Sequence, residues 1–231
     1  MPYLVADNQE QWLAIQREIA AYLENRSDDA YCRFWKRLID LILSTVSLIA
    51  LVPFFVVIGL LVKISSRGSA LYWQDRVGLG GKLFRIAKFR TMVTDAERRG
   101  PDITSSGDPR ITRLGARLRK LKIDELPQLW NVLIGQMSLV GPRPELPRYV
   151  ADYDRSQLRV LSVRPGITDL ASIRYRNEEK VLAESGDPES FYRSVVLPHK
   201  LSLNLEYIHR MSFALDVKLI FGTLRSLWTA M

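Results

Sequence analysis

Two neighbouring carboxylates are the residues in this sequence best suited to chemistry. Asp124 and Glu125 stand side by side, and Pro127 follows two positions later. A carboxylate is a competent nucleophile toward a phosphoryl group, and Mg²⁺ needs only one or two protein carboxylates when substrate phosphates supply further ligands. Because neighbours on a helix point about 100° apart, the pair would divide two tasks rather than share one proton. The alternative is an ordinary pair of acids that complements a helix start.

Cations that suit a phosphate group lie in other segments. Arg143 stands between two prolines that restrict its backbone, and a planar guanidinium can bind phosphate through two parallel hydrogen bonds. Lys88 and Arg90 fall on one face of a predicted strand. The segment 164–169 begins with another arginine and ends with Asp169. Alternating cations and acids predict an anionic substrate bound with a divalent metal; a rigid turn with a solvated arginine is the alternative.

A long apolar segment precedes these residues in the chain. Residues 38–62 contain one charge, Asp40, and would form a helix of about 37 Å, enough to cross a membrane. Pro53 interrupts the run, and a spanning helix should carry its basic flank on one side only. We therefore predict a re-entrant helix-break-helix over residues 33–67, broken at Pro53; one transmembrane helix is the alternative. Basic residues flank the segment on both sides: Arg33, Lys36, Arg37, Lys63, Arg67 and Arg76.

The remaining chain divides into an extension and a larger domain. Residues 1–32 are predicted to be an N-terminal helical extension that packs on the main domain or on a second copy, as in a homodimer. Residues 68–231 are predicted to be a catalytic domain on the cytoplasmic face. Strands at 70–77 and 83–92 would form a hairpin, and helical periodicity marks 110–122 and 213–227. The fold class is therefore α+β, mainly helical, with a small hairpin and amphipathic interfacial helices around a compact domain.

The amino-acid composition of the chain limits the classes of binding partner that we expect. The chain of 231 residues has 33 Lys and Arg against 25 Asp and Glu, a net charge of +8, which indicates an anionic partner. Its one cysteine excludes a disulfide framework and a multi-thiolate metal site. The basic face lacks interleaved stacking aromatics, so we expect no nucleic acid partner. The basic helix at 110–122 favours the headgroups of an anionic membrane.

Six short blocks, in order along the chain, resemble the bacterial sugar transferase family, the monotopic polyprenyl-phosphate phosphoglycosyl transferases. The resemblance runs from about residue 33 to residue 227, and its specificity comes from the six blocks together rather than from any one of them. The blocks are KRLID at 36–40, QDRVG at 74–78, KFRTM at 88–92, DELPQ at 124–128, MSLVGPRP at 137–144 and RPGIT at 164–168.

The resemblance implies an activity and a set of roles. Family members transfer a phosphosugar from a UDP-sugar to undecaprenyl phosphate with release of UMP, which starts the synthesis of a glycan or exopolysaccharide at the bacterial inner membrane. It implies that Asp124 forms a covalent phosphosugar intermediate and that Glu125 binds Mg²⁺. It also implies that Arg143 and Lys88 line the phosphate pocket and that Arg119 helps bind the nucleotide or phosphate.

The resemblance also bears on the membrane segment and shows two departures. The family's membrane element is a re-entrant helix broken at a proline, here Pro53, but members often have serine where this chain has Val52. Many members have glycine where this chain has Asp169, which makes Asp169 a candidate substrate contact. Two other functions remain open at this point: a non-enzymatic basic membrane adaptor, and a nucleotide-sugar diphosphate hydrolase that uses no lipid.

Overall fold

A mainly helical α+β fold surrounds two small sheets. The computed structural model describes residues 13, 15–17, 19, 21, 34–98, 100, 103–104 and 106–228. The predicted fold class is confirmed at this level. The strands are β1 (Leu71–Val77), β2 (Leu83–Phe89), β3 (Ser138–Val140) and β4 (Gly166–Thr168). The helices are α1 (Lys36–Ser65), α2 (Arg113–Lys120), α3 (Gln128–Leu133), α4 (Pro147–Val150), α5 (Leu170–Arg174), α6 (Glu178–Ala183), α7 (Pro188–Phe191), α8 (Leu197–Arg210) and α9 (Phe213–Trp228).

The apolar segment forms one continuous helix. Helix α1 has 30 residues, about 45 Å in length, and Pro53 lies inside it. The predicted break at Pro53 is not confirmed, because the backbone stays helical through the proline. A proline removes one helical hydrogen bond, and an apolar helix tolerates that loss when local adjustments satisfy the freed carbonyl. By length and composition, α1 is the one described helix that could cross a membrane.

Both ends of α1 pack on the same body of the protein, whereas its middle is uncovered. Near the first end, the Arg37 guanidinium donates to the carbonyls of Val132 (2.6 Å) and Leu133 (2.8 Å). Just past the second end, Arg90 donates to the carbonyl of Ser66 (2.7 Å). The central apolar side chains are more than half exposed; they include Val46, Ile49, Val52, Val56 and Val57.

The predicted β-hairpin is confirmed. Strands β1 and β2 pair antiparallel, with Val77 opposite Leu83 next to the turn. The turn contains Gly80 and Gly81 at φ values of 64° and 72°, a backbone region that favours glycine. The hairpin places Lys88 near the end of β2, where it faces the candidate site.

The second sheet joins two loops through a very close backbone approach. Strand β3 runs parallel to β4, and each strand leads directly into a loop that holds a candidate residue. A Cβ atom added to Gly166 would lie 2.1 Å from the backbone nitrogen of Gly141. Only glycine fits at this contact, which sets the loop after β3, with Arg143, against the start of β4, the strand that leads to Asp169.

Helix α2 corresponds to the predicted basic amphipathic helix but begins later. Thr112 caps it by accepting a hydrogen bond from the Gly115 backbone N–H (2.9 Å). Its apolar side packs inside the protein, because Leu118 is buried in one cluster with Ile58 and Val62 of α1. The apolar face is therefore not available to a membrane, although most of the basic side chains of α2 are exposed.

The N-terminal extension is described at a few positions only. Those at 13, 15–17, 19 and 21 are helical, Ile19 is buried, and Gln16 donates to the carbonyl of Gly81 (3.2 Å). The segment therefore rests on the hairpin turn. The rest of the predicted extension, residues 1–12, 14, 18, 20 and 22–32, lies outside the described residues. Ile19 belongs to the main core, which also includes Val77 of β1 and buried residues of α4, α8 and α9.

Candidate active site

The two adjacent carboxylates lie on a single 3₁₀ turn, Ile123–Glu125, between α2 and α3. Lys122 enters this turn in the left-handed region at φ 56°, which is unusual for a residue with a side chain. Pro127 then stands at the N-cap of α3, directly before its first residue, where a missing N–H removes no helical hydrogen bond. Asp124 and Glu125 are each 7% exposed. The turn thus buries two acids that an ordinary helix start would leave in water.

Glu125 is held by two cations from different elements. Arg143 Nη1 lies 3.2 Å from Oε2 of Glu125, and Arg143 Nη2 bonds to Oε1. Lys88 Nζ lies 3.6 Å from Oε1. Burial opposes ionisation, but the charges of Arg143, Lys122 and Lys88 outweigh it and hold the pKa of Glu125 well below its usual value. Glu125 is therefore a permanent anion at neutral pH.

Asp124 has the opposite environment. Its Oδ1 is buried and has no hydrogen-bond partner in the part of the chain that the structure describes. Burial raises the pKa of Asp124, and the neighbouring Glu125 charge raises it further. Most buried carboxylate oxygens in proteins are paired, so an unpaired one is an exception that calls for a reason. A nucleophile is such a reason, since a lone pair without a donor is free to attack.

The two cations beside Glu125 respond differently to burial. The charge of Glu125 raises the pKa of Arg143, which stays protonated at any relevant pH. Burial lowers the pKa of Lys88 to about 8, although the Glu125 charge opposes this. Lys88 is thus the one of these two cations whose charge changes within an accessible pH range.

Asp169 holds the arginine loop from behind. Its Oδ2 accepts the Arg143 backbone N–H (3.0 Å), and its Oδ1 accepts the N–H of Ser172 as the cap of α5. It is 1% exposed. The sequence reasoning proposed Asp169 as a substrate contact, and the structure gives both of its oxygens to backbone groups. The available sequence signal was its place just before a helix, which suits a capping aspartate.

The structure does not bring Arg90 or Arg119 into direct contact with the two carboxylates. Arg90 bonds to Ser66 at the end of α1, through both the carbonyl and the hydroxyl (3.1 Å). Arg119 pairs with Glu179 of α6 (2.7 Å), although its charge still lowers the pKa of Asp124. Arg90 thus links the apolar helix to the hairpin, and Arg119 lies at the edge of the site.

A buried polar network behind the arginine loop was missed by the sequence reasoning. Arg76 donates to the carbonyl of Pro144 (3.0 Å), and Glu145 accepts from the hydroxyl of Tyr192 (2.8 Å). Lys200 lies 3.6 Å from the same carboxylate. The network fixes the backbone on the far side of Arg143, so both ends of this short loop are held. Tyr192 and Lys200 lie far along the chain in no recognisable block, so no local signal could have identified them.

The donors at the site fit a magnesium ion that takes most of its ligands from a substrate. In the described chain, no group of three or more His, Cys, Asp or Glu side chains could hold a metal alone. Asp124 offers an unpartnered oxygen, and Oε2 of Glu125, whose described contact is with Arg143, has a second lone-pair site. Mg²⁺ usually keeps several waters and binds one or two carboxylates together with substrate phosphates.

Comparison with known proteins places this arrangement in a family. The family model described as "Bacterial sugar transferase" matches residues 31–230. The chain is 40% identical, over 82% of its length, to the undecaprenyl-phosphate glucose phosphotransferase of Komagataeibacter xylinus, and covers 35% of that protein. It is 36% identical to an N-acetylgalactosaminephosphotransferase of Aeromonas hydrophila that acts on undecaprenyl phosphate, over 85% of the chain and 44% of that protein.

A shorter relative is matched over most of both chains. The exopolysaccharide production protein ExoY of Rhizobium meliloti is 34% identical over 82% of this chain and 83% of its own length. The chain thus spans less than half of the first two relatives and most of the third. The matched region contains both carboxylates of the 3₁₀ turn, Arg143, Lys88 and the whole of α1. The chain belongs to the bacterial sugar transferase family.

Proposed function

We propose that this protein is a polyprenyl-phosphate phosphoglycosyl transferase that moves a phosphosugar from a UDP-sugar to undecaprenyl phosphate. The observation that supports it most is the unpartnered, buried oxygen of Asp124 next to the anion-binding pair of Arg143 and Lys88. The relatives named for undecaprenyl phosphate supply the class of acceptor, and two of them are named for glucose and N-acetylgalactosamine transfer.

In the first half-reaction, the Asp124 carboxylate attacks the β-phosphorus of the UDP-sugar. A bond forms between a carboxylate oxygen and that phosphorus, and the bond from the phosphorus to the bridging oxygen breaks. The bridging oxygen leaves with its electron pair on UMP. The sugar phosphate stays on Asp124 as an acyl phosphate ester, and Arg143 and Lys88 stabilise the charge on the phosphoryl oxygens.

In the second half-reaction, a phosphate oxygen of undecaprenyl phosphate attacks the same phosphorus. The bond between the phosphorus and Asp124 breaks, and the carboxylate is restored with its charge. The product is an undecaprenyl diphosphate sugar. No proton has to move in either step, which agrees with a site that has cations and carboxylates but no histidine among its described members.

Glu125, the permanent anion of the site, would hold Mg²⁺ together with the substrate phosphates. Such an ion neutralises phosphate charge and orients the diphosphate. Arg143 and Lys88 contact the Glu125 carboxylate, so they would share it with the ion or turn toward the phosphates when substrate binds.

The contacts of α1 support a monotopic location in the cytoplasmic leaflet. A helix that crossed the bilayer would place its ends on opposite sides, yet Arg37 and Ser66, near its two ends, contact the same domain. The exposed apolar middle of α1 would then enter the leaflet, and the basic residues near both ends would meet the headgroups on one side. A bend at Pro53 in the membrane would be the simplest way to achieve this.

The direct test is to incubate the purified protein with a panel of UDP-sugars and to follow UMP release and intact mass. We expect one UMP per protein without lipid, a mass gain equal to one sugar phosphate, and transfer of labelled sugar into the lipid phase when undecaprenyl phosphate is added. Sugar phosphate released only into water would favour the hydrolase. No UMP with any donor, together with an unchanged phenotype for Asp124→Asn, would favour the adaptor.

A further inference from the structure

A groove of about 360 Å³ lies between the first half of α1, strand β3 and α9. Its volume lies within the range of small-molecule pockets, about 300–1,000 Å³. Its lining is mostly apolar and comes from three elements. The main lining side chains are Ile39 and Leu43 of α1, Leu139 and Val140 of β3, and Val217 and Ile220 of α9.

The charged groups at the groove are already paired within the protein. Lys36 forms an ion pair with Asp216, which also accepts the hydroxyl of Tyr207 (2.6 Å). Asp40 accepts the backbone N–H of Leu139 (3.0 Å). A ligand in this groove therefore meets apolar walls and no free hydrogen-bonding group among these residues, which suits a plain hydrocarbon chain.

The groove connects two surfaces with different chemistry. Its outer edges continue into exposed apolar side chains, Ile42 on α1 and Phe213 on α9, and Ile42 adjoins the exposed middle of α1 that is proposed to enter the leaflet. Its floor, β3, leads directly into the loop that holds Arg143. Arg143 lies three positions after Val140, at most about 11 Å along the chain. A molecule with a hydrocarbon tail and a phosphate head could thus contact the groove and the cation pair at once.

We propose that this groove binds the isoprenoid units next to the phosphate of the polyprenyl phosphate acceptor. The rest of the tail stays in the bilayer, because the groove holds only a short length of chain. This inference rests on the proposed function, and it adds the place where the acceptor is bound. It also gives the enzyme a means to select a lipid phosphate over free phosphate, which has no tail to bury.

The test fills the groove from two opposite walls with Val217→Trp and Leu43→Trp. The matched control is Leu224→Trp, on α9 but outside the groove and 56% exposed. Two readouts separate the half-reactions: formation of the Asp124 adduct without lipid, and transfer to undecaprenyl phosphate. Adduct formation also reports whether each variant is folded. If one groove variant fails to fold, the variant on the opposite wall still tests the inference.

We expect both groove variants to form the adduct and to raise the KM for undecaprenyl phosphate by about tenfold or more. Tenfold corresponds to the loss of roughly two buried methylene groups. The control should keep the parent KM. Unchanged KM values in folded groove variants would overturn the inference, whereas absence of the adduct in the parent protein would overturn the proposed function instead.

A photoreactive polyprenyl phosphate analogue gives a second, independent readout. We expect it to label peptides of α1 and α9 next to the groove, and added undecaprenyl phosphate to compete. Competition by phosphatidylglycerol at the same concentration would show that the groove takes an ordinary bilayer lipid, and the inference would then be wrong.

Discussion

Arg143 and Glu125 form a two-pronged ion pair in which each terminal nitrogen of the guanidinium faces one oxygen of the carboxylate. The residue proposed to bind phosphate is therefore held in place by the residue proposed to bind the metal. Two prolines beside Arg143 and the bond from its backbone N–H to Asp169 restrict it further. The guanidinium needs little reordering to meet a diphosphate, which reduces the entropy lost on binding.

Arg143→Lys should lower kcat/KM for the UDP-sugar by roughly ten- to a hundredfold, the loss of one to two charge-assisted hydrogen bonds. Lysine keeps the charge, but it cannot make two parallel bonds to a phosphate or to Glu125. Steady-state UMP release measures the effect. Arg113→Lys, on the exposed side of α2, is the control and should stay near the parent value. A parent-like Arg143→Lys would show that charge alone is sufficient.

Asp124→Asn should abolish the adduct and at the same time stabilise the protein. The unpaired, buried Oδ1 and the nearby Glu125 charge both disfavour the ionised Asp124 in the folded state. Removing that charge should increase the free energy of unfolding by about 1 kcal/mol. For a chain of this size, we expect a rise in Tm of roughly 2–4 °C. Intact mass and thermal denaturation on the same sample measure both effects, and a clearly lower Tm would contradict this account of Asp124.

The pH profile of kcat/KM should fall on both sides of neutrality. Lys88 loses its proton as the pH rises through its pKa of about 8, so binding of the anionic donor should weaken above that pH. Asp124 must be ionised to attack, and its raised pKa moves the acidic limb upward. The profile of kcat/KM reports these groups in the free enzyme.

Lys88→Arg is the matched variant for the alkaline limb. Arginine stays protonated throughout, so the limb near pH 8 should move to higher pH while the acidic limb stays in place. UMP release measured from pH 5 to pH 10 would test it. An alkaline limb that does not move in Lys88→Arg would assign that limb to another group.

Asp169→Ala should destabilise the protein by about 1–3 kcal/mol, since two backbone N–H groups lose their acceptor. It should also slow adduct formation, because the loop with Arg143 loses one of its two anchors. Asp187→Ala removes a comparable cap from α7, away from the site, and should reduce Tm with little effect on the adduct rate. If Asp169 contacts substrate instead, Asp169→Asn would reduce kcat/KM at an unchanged Tm.

Cysteines introduced at Asn25 and Ser69, in a Cys32→Ser background, test the membrane location. Both should react with a membrane-impermeant maleimide in inverted vesicles and neither in intact cells with a permeable outer membrane. This result follows from a helix whose two ends contact one domain. Labelling of the two positions from opposite sides would show that α1 spans the bilayer.

Local chemistry in the sequence was sufficient for the parts of the fold that depend on near neighbours. The glycine-rich turn predicted the hairpin, and the adjacent acids, the proline-flanked Arg143 and Lys88 were expected at one site, where the structure brings Glu125, Arg143 and Lys88 together. Each of these features is specified by a short block of chain.

The features that sequence reasoning missed depend on contacts between distant segments. The apolar stripe of α2 looked suited to a membrane, but Leu118 packs on Val62. Arg90 was predicted to lie on the same strand face as Lys88. It lies just beyond the end of β2, where it donates to the carbonyl of Ser66. Nor does a proline by itself interrupt a helix, since α1 stays helical through Pro53 although this part of the helix is exposed.

The bond from Asp40 to the Leu139 backbone joins the apolar helix to the strand that leads to Arg143. We therefore expect a tilt of α1 to move β3, the strand beside the site, because this bond joins the two elements directly. Bilayers of different thickness impose different tilts on an apolar helix through hydrophobic mismatch. We expect the turnover of this enzyme to vary with the acyl-chain length of the lipid around it, and Asp40→Ala, which removes the acceptor, to weaken that dependence in vesicles of defined lipid composition.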